Sequence, residues 1–372
     1  MTRFLFLWHS LTMNYHPIYF FIIQMHKPSI YVKNLLLTAI AFLMSACQSS
    51  GDKIDSKFNI EPEVPEIQEM KVTEVLKPID ITFNNDYLCV LHEEKAKGDQ
   101  IYVFDPENLH FLYSFAKRGS APDETLALDF MKNLRGDSID LIDQANYKKL
   151  TYRLTPDSAV LVESKYLELP PLGPTQEAYW VNDSIMIFNT LDGSLLTYDD
   201  RSNRIIDQLN LTDFISDLPE DANKSVASFN FSIDGKEIFV GMRAFNELLK
   251  LGLDDDYRFT KDNTLSLSAH QINVDKITDN YNYFAFISGG KDNVVAQYYG
   301  RKAKDLQPFP ININGSNLKF DLIVLDDDLN PLHLYQTDSN ILRAVMDEGR
   351  KRIYLLEAFE DFDALKYIEY DK

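Results

Sequence analysis

The side chains with which this chain could do chemistry are two cysteines, Cys47 and Cys89, four histidines beyond residue 47, and several clusters of like charge. A zinc site needs His, Cys or carboxylate ligands at short, regular spacing. His92, His110, His270 and His333 are well separated, and no HExxH is present. A GxSxG nucleophile elbow and a Walker loop are also absent. Asp254-Asp255-Asp256 and Asp326-Asp327-Asp328 have the acid density for calcium. Both lack the glycine and terminal glutamate of a calcium loop, and both close equivalent strands, where Asp serves a turn. Glu357, Glu360, Asp361 and Asp363 could supply an acid/base pair, although carboxylate-rich loops are usually just solvated. No metal and no organic cofactor is expected.

The basic residues offer recognition rather than catalysis. Lys117-Arg118, Lys148-Lys149, Arg243 and Arg301-Lys302 stand out in a chain with a net charge of −20. On so acidic a body a basic rim would select an anionic ligand, such as a carboxylated sugar or peptide. The ligand-binding candidates are Arg118, Arg243 and Arg301, with Phe309 in the neighbouring insertion Gln307-Pro308-Phe309-Pro310. The acidity itself argues against nucleic acid, which needs a basic face. Cys89, in the apolar run Tyr87-Leu88-Cys89-Val90-Leu91, reads as a small core residue without a disulfide partner.

Residues 25–47 combine a short basic region, an apolar stretch of signal-peptide length and small residues before Cys47. The apolar run is short for a membrane span. Leu43-Met44-Ser45-Ala46-Cys47 resembles the lipobox of bacterial lipoproteins, with Met44 where Leu is usual. The resemblance implies cleavage before Cys47 and a diacylglycerol on its thiol, which would anchor the mature chain in a membrane of the cell envelope. Met25 is a candidate true start, since residues 1–24 precede a complete signal. Residues 48–68 read as a flexible tether and 69–372 as the folded domain.

From residue 79 onward an apolar strand, an Asp/Asn/Gly turn and a second apolar strand recur six times. The second strands begin near Leu88, Ile139, Ile185, Ile238, Val294 and Ile353, about 50 residues apart, a spacing that suits four strands per repeat. Alternation and β-branched or aromatic enrichment mark these segments as strands. The expected fold is all-β, a six-bladed β-propeller of four-stranded antiparallel blades. The sixth repeat lacks a fourth strand, and an open sheet edge is a liability. The alternating segment Glu69–Leu76 is otherwise spare, so an N-terminal strand is expected to close the ring.

This phase sorts the loops. Connections between the second and third strands and between blades share one face, and hairpin turns occupy the other. The long connections Thr212–Ser225, Ser268–Asn280 and Gly300–Leu318 fall on the first face, where function is expected. The short-turn face reads as inert.

The loop Lys117-Arg118-Gly119-Ser120-Ala121-Pro122-Asp123-Glu124-Thr125-Leu126 resembles the G-x-G-P-G-E-F signature of NHL-type repeats and of TolB-like six-bladed propeller lipoproteins. Gly119, Pro122 and Glu124 match; Ala121, Asp123 and Thr125 depart. The resemblance implies the fold and envelope anchoring outside the cytoplasm, and no activity. The expected function is therefore a lipid-anchored binding or protein-interaction module for a glycan, peptide or protein. The alternatives are a propeller hydrolase or lyase, metal-dependent or not, acting on a glycan or small ester at the channel mouth, and a subunit of a larger envelope assembly with Gly300–Leu318 as a docking arm. The sialidase box Ser-x-Asp-x-Gly-x-Thr-Trp is missing, which weakens the enzyme branch.

Overall fold

The computed structural model of the chain describes residues 60–69, 78–84, 86–92, 98–121, 123–133, 137–167, 177–190, 193–214, 229–267, 279–302, 320–337, 341–357 and 365–370. After a short strand β1 (Ile67–Glu69), blade one comprises β2 (Pro78–Asn84), β3 (Tyr87–His92), β4 (Asp99–Phe104) and β5 (Phe111–Lys117). Blade two is β6 (Leu128–Asn133), β7 (Ser138–Asp143), β8 (Lys148–Leu154) and β9 (Ala159–Tyr166). Blade three is β10 (Ala178–Trp180), β11 (Ile185–Asn189), β12 (Ser194–Asp199) and β13 (Arg204–Asn210), followed by the 3-10 turn Leu211–Phe214. Blade four is β14 (Phe229–Asp234), β15 (Glu237–Met242), β16 (Glu247–Leu253) and β17 (Phe259–Ser266). Blade five is β18 (Tyr281–Gly289), β19 (Asn293–Lys302), β20 (Phe320–Asp326) and β21 (Pro331–Thr337). Blade six is β22 (Ile341–Asp347), β23 (Arg352–Glu357) and β24 (Leu365–Glu369). Together they form the expected six-bladed propeller of four-stranded antiparallel blades.

β1 completes the sixth blade. It pairs antiparallel with β24, Ile67 opposite Ile368 and Glu69 opposite Lys366. Ile67 packs on the core between blades five and six, and Lys366 reaches Glu69 (3.1 Å) and Glu357 (2.7 Å). The closing strand sits earlier in the chain than the alternation of Glu69–Leu76 indicated, and only Glu69 is common to both; residues 70–77 lie outside the described ones. Upstream, the Glu63 N–H donates to the Leu334 carbonyl (2.8 Å), and the Gln336 N–H donates to Glu63 (2.8 Å). Residues 60–68, read as tether, are thus docked along the outer edges of blades five and six. The β1–β24 ladder, the Glu63 bonds to blade five and the Ile67 contact hold a segment whose lack of periodicity suggested a tether.

Each blade buries its two central strands almost completely, while outer strands such as β9 and β13 alternate with solvent. Side-chain-to-backbone bonds then stitch blade to blade. Asn84 Nδ2 donates to the Ser138 carbonyl (2.8 Å), Gln297 Nε2 to Ile341 (2.8 Å), and the Tyr354 hydroxyl to Pro106 (2.8 Å). At the seam between blades five and six, the Glu348 carboxylate accepts the N–H groups of Lys291, Asp292 and Asn293 (3.0, 2.8 and 2.6 Å). Gly290 makes that approach possible, because a Cβ there would lie 2.6 Å from Glu348 Oε1.

Blades two and three are joined more intimately. β6 and β10 pair in parallel, Tyr179 opposite Lys132, so the two blades share one eight-stranded sheet. Lys149 bridges the same seam. Its ammonium lies 3.4 Å from Asp140, 3.6 Å from Glu163 and 4.2 Å from the Trp180 ring centroid. Lys148 and Lys149 are both buried on β8. They were expected on a basic rim; the strand alternation instead turns Lys149 into the sheet interface, where an acid and an indole face receive its charge.

The turn aspartates behave as turn chemistry requires. Asp254 Oδ1 accepts the N–H groups of Asp256 and Arg258 (both 2.9 Å), and Asp326 Oδ1 those of Asp328 (3.1 Å) and Asn330 (2.7 Å). The turn from blade one to blade two is fixed in the same way. Gly119 N–H donates to the Thr125 carbonyl (3.0 Å), and Glu124 Oε2 accepts the Ala121 N–H (3.0 Å). Cys89 is fully buried and its thiol pKa is pushed up by desolvation. A thiolate reagent should therefore leave Cys89 unmodified in the folded protein and label it fully in denaturant. Rapid labelling under native conditions would contradict this burial.

Candidate functional site

The innermost strand of each blade lines the central channel, and its register decides which side chains reach it. Asp80 on β2, Asp129 on β6, Asn230 on β14 and Arg343 on β22 occupy equivalent positions. Each lies opposite the fifth residue of the neighbouring strand: Leu91, Ile142, Gly241 and Leu356. In blade three Ala178 lies opposite Phe188, the fourth residue of β11; the fifth, Asn189, donates its N–H to the carbonyl of Glu177 (3.3 Å), which precedes β10. In blade five, bulges between Asn282 and Phe286 break the register, and Tyr299 near the end of β19 takes the place of an inner-strand group. In blade four Arg243 directly follows β15, and its carbonyl accepts the Tyr283 N–H (2.8 Å), which holds it against blade five.

The result is a ring with one ionisable group from each blade: Asp80, Asp129, Glu177, Arg243, Tyr299 and Arg343. All six lie at the long-loop end of the strands. Arg343 Nε is 3.5 Å from Asp80 Oδ1 across the seam between blades six and one. Burial depresses the Arg343 pKa, but the Asp80, Glu177 and Asp129 carboxylates more than reverse this, so its charge is held firmly. Arg243 is the opposite case. Desolvation by the surrounding wall lowers its pKa, and Arg343 lowers it further against the pull of Tyr299 and Glu177. By surface area Arg243 is exposed, and no carboxylate lies within 4.0 Å of it among the described residues. The Tyr299 hydroxyl is raised by burial, partly offset by Arg243 and Arg343. Glu177 Oε2 accepts the Phe231 N–H (3.1 Å) from blade four and likewise has no cation within 4.0 Å among the described residues.

Of the residues expected to bind ligand, Arg243 alone belongs to the ring. Arg301 was expected to match Arg243 in the next blade; counting from the strand starts, the true equivalent is Tyr299, because β19 runs on to Lys302. Arg301 instead pairs with Asn282, half-buried. Arg118 lies past the outer strand of blade one, where its N–H donates to Gly98 (2.8 Å). Phe309 and Cys47 lie outside the described residues, as does most of each long connection on this face. Asp80, Asp129, Glu177 and Arg343 were missed. The signal for them was present: a charged residue at matching positions inside, or just before, otherwise apolar first strands.

A second concavity lies at the other end of the channel, on the short-turn face read as inert. It is a cavity of ≈ 400 Å³ between the ends of β2, β10, β14, β18 and β22, with Thr82, Asn84, Ser232 and Ser288 among its walls. Its charged groups serve the fold: Glu348 is held by three backbone N–H groups, and Asp347 by Arg350 (3.0 Å). Among the described residues no three His, Cys, Asp or Glu side chains are grouped to hold a metal ion.

This architecture places the chain among the six-bladed β-propellers. No family model matches the sequence, and no curated protein does. Solved structures do match in fold. A crystal structure of a candidate exported protein from Bacteroides fragilis NCTC 9343 superposes with a TM-score of 0.52 at 14% identity, over 82% of this chain and 94% of that one. The β-propeller domain of Cps50 (Swd1) from Myceliophteria thermophila gives 0.49 at 9% identity, over 82% and 99%. At 14% identity the likeness to the Bacteroides fragilis structure concerns the fold and nothing finer.

Proposed function

We propose that this chain is a lipid-anchored, extracytoplasmic binding module that captures an anionic group at the long-loop mouth of its propeller. The observation that carries this is Arg243: an exposed guanidinium at the channel mouth that feels the charges of Tyr299 and Arg343 and has no carboxylate within 4.0 Å among the described residues. A guanidinium so placed can donate charge-assisted hydrogen bonds to a bound anion. A bidentate carboxylate, as in an acidic sugar or a peptide, matches the fork geometry of arginine. The lipobox at Leu43–Cys47 supports the anchor, and the named exported neighbour is consistent with a place outside the cytoplasm. Propellers carry no default activity, so the site and not the fold motivates this reading.

The test is thermal unfolding of the detergent-solubilised full chain with uronic acids, acidic peptides and phosphate. A ligand that binds only the folded state must raise the unfolding temperature. At least one anion should do so for the native chain and fail for Arg243→Gln. Anions that stabilise the variant as well as the native chain would remove the support from this site.

A further inference from the structure

The six groups of the ring are not mixed in sign around the channel. Blades one, two and three contribute Asp80, Asp129 and Glu177; blades four, five and six contribute Arg243, Tyr299 and Arg343. The mouth is therefore bipolar, with one acidic half and one guanidinium and phenol half. The halves meet at two seams. At the seam of blades six and one the charges neutralise each other directly, Arg343 on Asp80 at 3.5 Å. At the seam of blades three and four they do not. Glu177 reaches blade four through the Phe231 N–H (3.1 Å) and feels the Arg243 charge, but the two stand farther apart than an ion pair.

An anion alone would satisfy Arg243 and leave Glu177 with a like charge beside it. A cation alone would do the reverse. Building on the proposed anion site, we infer that the ligand is a small zwitterion, an amino acid or short peptide, that spans this gap. Its carboxylate lies between Arg243 and Tyr299, and its ammonium faces Glu177, with Asp129 behind. Glu177 is already oriented for this role, because the Phe231 N–H fixes Oε2 (3.1 Å) and leaves Oε1 for the ligand. Discrimination follows from pairing both ends: a neutralised end leaves one charge of the ring unmatched.

The experiment is calorimetric titration of the detergent-solubilised full chain. The probes are the common amino acids and alanyl-alanine, each alongside its N-acetyl and its carboxamide derivative. At least one zwitterion is expected to bind, with both derivatives weaker by about tenfold or more. Glu177→Gln, which retains an acceptor for Phe231, should erase the discrimination against N-acetylation and keep that against amidation. Arg243→Gln should do the reverse. An N-acetyl derivative that binds as tightly as its zwitterion, and still depends on Arg243, would overturn the zwitterion and leave the anion site standing. Failure of every probe to bind would also overturn it. Binding indifferent to Arg243 would overturn the anion site as well.

Discussion

Lys149→Ala destabilises the propeller by about 3–5 kcal/mol in urea unfolding, the range expected when one partner of a buried ion pair is removed. The Lys149 side chain is 4% exposed and that of Asp140 is 1%. Without the ammonium, Asp140 keeps the Thr151 hydroxyl as a hydrogen-bond donor but loses the Lys149 charge. The Trp180 face loses its cation at the seam where blades two and three merge into one sheet. The pair should matter far less than its rupture. Lys149→Met combined with Asp140→Leu removes both charges and should recover most of the loss, because hydrophobic replacement of a buried pair is often neutral. A cost below about 1 kcal/mol for the single variant would show that the pair is hydrated and incidental.

The second large effect concerns closure. A chain that begins at residue 71 loses β1 and the Glu63 bridge to blade five, and leaves the β24 edge open. It forfeits the ladder between Ile67–Glu69 and Lys366–Ile368, the Ile67 contact with the core and the Glu69–Lys366 pair. Backbone ladder bonds and one half-buried aliphatic side chain together place the loss at roughly 2–4 kcal/mol. The exposed edge should also drive self-association, visible by light scattering. A synthetic peptide of residues 60–70 added in trans should restore both stability and monodispersity by strand addition. An unchanged urea midpoint in the shortened chain would mean that the ring closes without β1.

Much of this architecture was legible because it repeats. The strand–turn–strand unit around Leu88, Ile139, Ile185, Ile238, Val294 and Ile353 gave blade number, phase and the incomplete sixth blade. It also separated the two faces. The closing strand was anticipated, but its position was not: Ile67-Gln68-Glu69 has too few residues to show a period, and its partner strand lies some three hundred residues away in the sequence. Lys148-Lys149 misled because a basic pair reads as surface until a buried acid is known to face it. The ring was only partly visible. Arg243 stood out after a strand end. Arg343 and Asp129 did not, since a single charge within an apolar strand looks like an outward-facing residue. Their meaning comes from register, which sets them at the same height in different blades. Tyr299 replaced Arg301 because β19 is longer than the second strands of the other blades and its register slips twice against β18.

The central claim is that function resides in the six-group ring and not in the opposite cavity. Hydrogen exchange with and without a stabilising ligand tests it most directly. Protection should appear at the starts of the inner strands, 78–81, 128–130, 178–180, 229–231, 281–283 and 341–343, and at Arg243. Protection confined to the turns 234–237, 289–293 and 347–351 would place the ligand in the hairpin-face cavity and contradict it.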